Sequence, residues 1–317
     1  NHQRFVPVDL MDVAGLVPGA SEGKGLGNQF LSDLSRADCF IQVVDASGGT
    51  TIEGKPCDPG SHDPCEDIEF LEKELDLWYL GILNKVWKTF ARTLSVTKEA
   101  GGFEKGIVKQ FSGLNIDEEI VKKAIRKTVL NVEKVNLWKA EELFQFARAL
   151  RIFSKPMIIA ANKCDFAESE ENIKKMKEKY SEHIVIPCSG DSELALRQAA
   201  KAGMIEYIPG DRDFKMKKEL SPKQKEALEN IKKNVLQKYE FGTGVQKVLD
   251  YAIFNLLKYI AIFPAGVNKL ADSKGNILPD CFLLKDGSSA LDFAFSLHTD
   301  IGKNFVKAID ARTGRAV

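Results

Sequence analysis

Four consecutive residues, Asn162-Lys163-Cys164-Asp165, directly follow the apolar run Met157 to Ala161. Such a run reads as a buried strand. In open α/β sheets, ligands bind just beyond the carboxyl ends of the strands. The carboxylate of Asp165 can accept two hydrogen bonds there, one from the ring N–H of guanine and one from its exocyclic amine. Adenine offers neither donor in that arrangement. An unpaired buried polar group costs roughly 1–3 kcal/mol, so a site built on these bonds rejects the wrong base strongly. Asn162 would tie neighbouring loops together, and the stem of Lys163 would cover the base. Taken alone, the four residues also fit a charged turn after a strand.

A second constellation, Asp12-Val13-Ala14-Gly15, lies far earlier, after the β-type run Phe5 to Met11. In phosphate-binding NTPases an Asp so placed holds Mg²⁺, usually through water. A following Gly lets its backbone N–H reach the γ-phosphate, because no Cβ intervenes. The order along the chain matters more than either motif. Asp-x-x-Gly is followed by a strand, then Asn-Lys-x-Asp, then another strand and Pro187-Cys188-Ser189-Gly190. GTPases follow this order. The last element resembles their Ser-Ala loop, whose backbone N–H meets the guanine oxygen, with Gly190 in place of Ala; Ser189 is expected at the base.

The elements that must hold these residues are legible from periodicity. Cys39 to Asp45, Met157 to Asn162 and His183 to Pro187 are short apolar runs bounded by turn residues. Separated by helical stretches, they predict a parallel, doubly wound α/β sheet. Ile68, Leu71, Leu75, Trp78, Ile82 and Val86 recur at helical spacing within Cys65 to Leu94, and Asp117 to Val129 and Trp138 to Ile152 read as helices too. Together they predict a helical insertion over about residues 62–152, with Thr97 to Phe103 as a loop. A Gly-rich loop from Gly15 to Gly27 and a helix from Asn28 to Arg36 follow the first motif. Ser221-Pro222 opens a helix with a good cap, and Val245 to Tyr259 reads as another. From Ile260 the texture becomes a small α+β mixture, with turns at Ser273 to Asn276 and Lys285 to Gly287 and a helix from Ala290 to His298.

Composition narrows the class. A chain of 317 residues suggests about two domains. Lys plus Arg and Asp plus Glu both number 45, so net charge makes no case for nucleic acid. No stretch approaches the ~18 apolar residues of a membrane span. The six cysteines are scattered without a Cys-x-x-Cys pair, which reads as reduced thiols and a cytoplasmic setting. Cys57, His62 and Cys65 fit no common zinc spacing. His298 reads as a hydrogen-bonder at a helix end. The chain begins at Asn1 rather than Met, and its first run opens abruptly, so residues are expected upstream.

The segment Asp12-Val-Ala-Gly-Leu-Val-Pro-Gly-Ala-Ser-Glu-Gly-Lys-Gly-Leu-Gly-Asn28 resembles switch II of the Obg/YchF GTPases, and Gly287 to Gly302 is similar to their TGS module, a ubiquitin-like β-grasp. The helical insertion resembles that of the archaeal YchF-like members, so the resemblance covers nearly the whole chain. It implies a P-loop NTPase-like GTP-binding (G) domain over residues 1–61 and 153–259, the insertion over 62–152, and a partial TGS domain over 260–317. The first strand and phosphate loop would lie upstream of Asn1, and the TGS domain would continue past Val317. It also implies GTP hydrolysis to GDP with Mg²⁺, nucleotide contacts at Asp12, Val13, Ala14, Gly15, Asn162, Lys163, Asp165 and Ser189, Mg²⁺ at Asp12 through water, and a ribosome or RNA partner reached through the TGS and helical domains. The chain as it stands, lacking a phosphate loop, would be inactive.

Two departures bear on this. YchF proteins of bacteria and eukaryotes alter the base-reading motif and prefer ATP; Asn162 and Asp165 favour guanine here, leaving an ATPase of that type as the alternative. A ribosome-binding module without turnover is the other. Leu16 occupies the position where many GTPases carry the Gln that orients the attacking water. No catalytic residue is therefore assigned. The nearest thing to a phosphate loop, Gly49 to Pro56, has Pro56 where a Mg²⁺-ligating hydroxyl belongs.

Leucine has neither donor nor acceptor and cannot polarise water. In the resembling family this hydrophobic residue points away from the nucleotide, so Leu16→Gln in the full-length protein should change single-turnover GTP hydrolysis by less than about tenfold. A hundredfold rise would show that Leu16 points into the site as a brake.

Overall fold

The computed structural model describes residues 4–13, 35–97, 101–265, 270–271, 274–278 and 280–317. They fall into two compact units, residues 11–252 and residues 1–10 with 253–317.

The larger unit is built on three parallel strands in the order β1-β2-β3: β1 Phe40–Asp45, β2 Met157–Asn162 and β3 Ile184–Pro187. β2 is central, and its first five residues, Met-Ile-Ile-Ala-Ala, are all buried. An apolar strand without alternation is what a sheet covered on both faces requires. Asp45 lies opposite Asn162, and Ala161 opposite Pro187. The strands thus end nearly level.

Between β1 and β2 stand the helices of the insertion: α1 Pro64–Thr97, α2 Gly102–Gln110, α3 Glu118–Thr128 and α4 Ala140–Ser154, with a 3-10 turn at Val132–Leu137. Asp63 starts α1 by accepting the Cys65 N–H at 3.0 Å, with Pro64 at the first position. Asp117 caps α3 in the same way through the N–H of Ile120. The interior is aromatic. Tyr79, Phe103, Phe111 and Phe146 are buried, and Trp87 stacks on Trp138 at 5.3 Å between ring centroids. Downstream come α5 Ser169–Lys179, α6 Gly190–Lys201, the two-residue strands β4 Ile205–Glu206 and β5 Lys215–Met216, α7 Pro222–Ile231 and α8 Val245–Asp250. α7 carries the Ser221–Gln224 capping box. Among the described residues no helix is long and apolar enough to cross a membrane.

A buried charge network joins the insertion to the sheet. Arg151 of α4, 1% exposed, donates to Asp76 at 2.8 Å and to Glu72 at 3.0 Å, both on α1. Glu72 also meets His183, just before β3, at 3.0 Å. A guanidinium out of water needs such partners.

In the smaller unit, β6 Tyr259–Ile262 pairs antiparallel with β7 Phe282–Lys285, followed by α9 Ala290–Leu297 and α10 Thr299–Lys303. Ser289 and Asp292 form a capping box on α9, and His298 accepts the Asp300 N–H at 3.1 Å to start α10.

Several expectations are corrected. Phe5 to Met11 is not a strand; it is irregular, with Leu10 66% exposed. A strand exists only as part of a ladder, and no described strand lies beside this one to take its hydrogen bonds. Residues 4–10 group with the smaller unit, where the Arg4 guanidinium donates to Ile277 O at 2.7 Å, rather than with residues 11–61. The larger unit runs to Ala252 and holds the sheet and the insertion together. The helix expected over Val245 to Tyr259 changes to a π-helical turn at Tyr251–Leu256. The helix expected from Asn28 lies outside the described residues except for its end.

Burial alone would raise the carboxyl of Glu72, but the His183 hydrogen bond and the Arg151 charge outweigh it and hold it at about 2, below its ordinary 4.5. A depressed folded value contributes stability that is present above the unfolded value and lost as pH falls through the folded one. Urea titrations of Glu72→Gln should show about 1–3 kcal/mol less stability at neutral pH and a flatter decline between about 4.5 and about 2. Parallel curves for the two proteins would show that the pair contributes nothing.

Candidate functional site

Three loops leave the carboxyl end of the sheet side by side. After β1, residues 46–63 fold back on themselves. Gly60 N–H donates to Ser47 O at 2.7 Å, and His62 N–H to Gly48 O at 3.1 Å. Gly48 has φ +62 and leaves no room for a Cβ, which would lie 2.4 Å from His62 O. After β2 comes Lys163-Cys164-Asp165, and after β3 Cys188-Ser189-Gly190.

Main-chain and side-chain bonds lock the second and third loops together. Cys164 N–H donates to Cys188 O at 2.9 Å, Cys188 N–H to Ala161 O at 2.8 Å, and Gly190 N–H to the Asn162 side-chain oxygen at 3.0 Å. Burial pushes the Cys164 thiol up to about 12 and the Cys188 thiol higher still, so both are packing groups rather than nucleophiles. Lys163 takes a left-handed backbone at φ +60, which is unfavourable for a residue with a Cβ. That turn swings its side chain across to the first loop, where Nζ meets Asp45 Oδ2 at 2.6 Å. Asp45 also accepts the hydroxyls of Ser47 at 2.5 Å and Thr50 at 2.6 Å. Burial works against its charge, but the bonds from Lys163, Ser47 and Thr50 outweigh it and hold Asp45 below the usual carboxylate range. Asp165 is exposed, and its carboxylate has no partner among the described residues. The result is an open acceptor beside a pinned lysine.

Residues 160–266, which include Asn162 to Asp165 and Gly190, match the family described as Obg-like GTPase YGR210-like, G4 motif-containing domain. An uncharacterized GTP-binding protein of Methanocaldococcus jannaschii is 46% identical over 98% of this chain and 76% of its own length. The chain belongs to the Obg-like GTP-binding protein family. A crystal structure of a GTP-binding protein from Pyrococcus horikoshii has a TM-score of 0.69 at 43% identity, covering 91% of this chain and 76% of that one. More distantly, the ribosome-binding ATPase YchF of Bacillus subtilis is 26% identical over 97% of this chain and 72% of its own length.

Against this Obg-like background the expected site residues separate into two groups. Asn162, Lys163 and Asp165 stand together at the carboxyl end of β2, and Asn162 ties two loops as its position suggested. Asp12 and Val13 are the described members of the other group. Val13 packs against Leu75 of α1, as does Phe40, the first residue of β1. Ala14, Gly15 and Leu16 lie outside the described residues. Among the described residues no group of three acidic, His or Cys side chains that could hold a metal occurs.

Ser189 is corrected. It is 1% exposed, its hydroxyl bonds Ser192 at the start of α6, and its N–H donates to Thr243 O at 2.9 Å. A helix start leaves N–H groups that need an acceptor, and Ser189 serves that need instead of facing a ligand. Gly190 is the partly exposed member of the turn. A Cβ there would stand 3.5 Å from Asn162, ordinary contact, so the Ala of the related loop would fit equally well. Gly49 to Pro56 closes as a small hairpin, with Thr51 N–H on Lys55 O at 2.8 Å, and opens no helix.

Sequence reading missed Asp45, because an Asp at a strand end is unremarkable until its partner is known. Asp45→Asn leaves Lys163 without its counter-charge and frees its stem. Fluorescent GTP titration of the full-length protein should show affinity reduced about three- to tenfold. Unchanged affinity would make the pair a surface latch only.

Proposed function

We propose that this protein is a nucleotide-dependent switch that selects guanine through Asp165 and hydrolyses GTP to GDP. The single observation that carries this is the exposed carboxylate of Asp165, without a partner among the described residues, at the carboxyl end of a buried parallel strand, beside Asn162 and Lys163. A carboxylate held there matches the two donors on one edge of guanine. Mg²⁺ would accompany the β- and γ-phosphates, as it does in phosphate-binding NTPases generally. We assign the phosphate end to residues 12–15 together with a phosphate loop, and the switch to the segment after Asp12, ordered by the γ-phosphate and released on hydrolysis. The smaller unit, with its antiparallel β6–β7 pair and capped helix, supports the TGS reading. Together with the helical insertion it is the proposed contact to a ribosome or RNA in the cytoplasm, in line with the printed name of the Bacillus subtilis relative.

That relative is named an ATPase, so ATP is the competing substrate. Asp165→Asn in the full-length protein should weaken GTP binding and strengthen xanthosine triphosphate binding, because an amide can donate to the extra carbonyl of xanthine. A reversal of preference of about tenfold or more is expected. Affinities that stay the same for both bases would remove Asp165 from the base pocket, and tighter binding of ATP than GTP by the parent would favour the ATPase.

A further inference from the structure

Both base-reading loops rest on one short segment, Tyr239-Glu240-Phe241-Gly242-Thr243-Gly244. Tyr239 donates its hydroxyl to Cys164 O at 2.7 Å, at the residue between Lys163 and Asp165. Thr243 accepts the Ser189 N–H on its carbonyl at 2.9 Å. The Thr243 side chain is fully buried, and its hydroxyl donates to Glu193 of α6 at 2.6 Å. Glu193 is buried too and accepts Tyr207 OH at 2.7 Å and Arg197 Nε at 2.6 Å. Gly244 completes the fit. At φ +74, a Cβ would lie 1.9 Å from Pro187 O, so any side chain would push this segment off the third loop. Each of the two loops is thus bonded to this segment. Tyr239 bonds the peptide next to the strained Lys163, and Thr243 bonds the peptide next to Gly190.

We infer that Tyr239 and Thr243 are positioning residues for base selection, Tyr239 setting the Asp165 loop against the 2-amine edge and Thr243 setting the Gly190 turn against the 6-oxygen. This rests on the reading of Asp165 as the guanine acceptor. The division of labour follows from geometry. The two bonds reach different loops, and the loops meet each other through separate bonds, Cys164–Cys188, Cys188–Ala161 and Asn162–Gly190.

Two analogues separate the roles. Inosine triphosphate lacks the 2-amine and keeps the 6-oxygen; 6-thio-GTP keeps the 2-amine and the ring N–H but replaces the oxygen with a poorer acceptor. In the full-length protein, Tyr239→Phe should reduce the preference for GTP over inosine triphosphate about fivefold and leave the preference over 6-thio-GTP unchanged. Thr243→Val removes the hydroxyl that fixes Thr243 on Glu193, and with it the placement of the carbonyl under Ser189 N–H, and should do the reverse; Thr243→Ser, which keeps the hydroxyl, should restore the parent ratios. Loss of both preferences in parallel with a fall in Tm, or retention of both in each variant, would overturn the assignment and reduce the segment to packing. A parent protein that does not prefer GTP over inosine triphosphate would overturn the guanine reading itself, and the inference with it.

Discussion

The register of three parallel strands sets the spacing on which the rest depends. Asp45 and Asn162 share one row, with Pro187 one step behind beside Ala161. The three loops that follow therefore begin at nearly the same height, a few ångströms apart, because neighbouring strands in a sheet lie about 4.8 Å apart. Lys163 can cross to Asp45, and Asn162 can reach Gly190, only because of this alignment. A slip of one residue in β1 would turn the side chain at its end to the other face of the sheet. The apolar run of β2, buried from Met157 to Ala161, resists that slip, since a shifted strand would have to refit its side chains to both covering layers. The chemistry at the loop tips is thus anchored in unspecific apolar burial beneath it.

A different constraint governs the insertion. Its aromatic interior would be satisfied by several arrangements of four helices, but Arg151 admits few. With 1% exposure, it needs carboxylates at fixed directions, and it takes Asp76 and Glu72 from one face of α1. Glu72 then reaches His183 beside β3. The network sets the orientation of α1 on the sheet in a way that apolar packing alone does not.

How much of this was readable depended on where each signal is stored. β2 and the β1 and β3 runs were legible because double-sided burial writes itself into consecutive apolar residues. α1, α3 and α4 were legible from helical spacing, with ends off by a few residues, as capping decides ends. Phe5 to Met11 misled because β-type composition is necessary but a ladder partner is also required. Ser189 misled because the type of residue that suits a binding loop also suits a helix cap, and the helix took it. Tyr239 and Thr243 were invisible for another reason. They act on main-chain atoms of other loops, which have no residue type to match against. The pair of glycines around Thr243, both at positive φ, was the one available hint that the chain there passes unusually close to something.

The length of α1 has a mechanical meaning. Its 34 residues extend about 51 Å at 1.5 Å per residue. Its first turn continues directly from the loop after β1, which His62 closes on Gly48 and Asp63 fastens to Lys175 of α5. Such a rod amplifies: a tilt of about 5° at its base displaces its far end by roughly 4 Å, given that rise per residue. A rearrangement too small to notice at the loops would become, at the tip of the insertion, a displacement as large as a side chain.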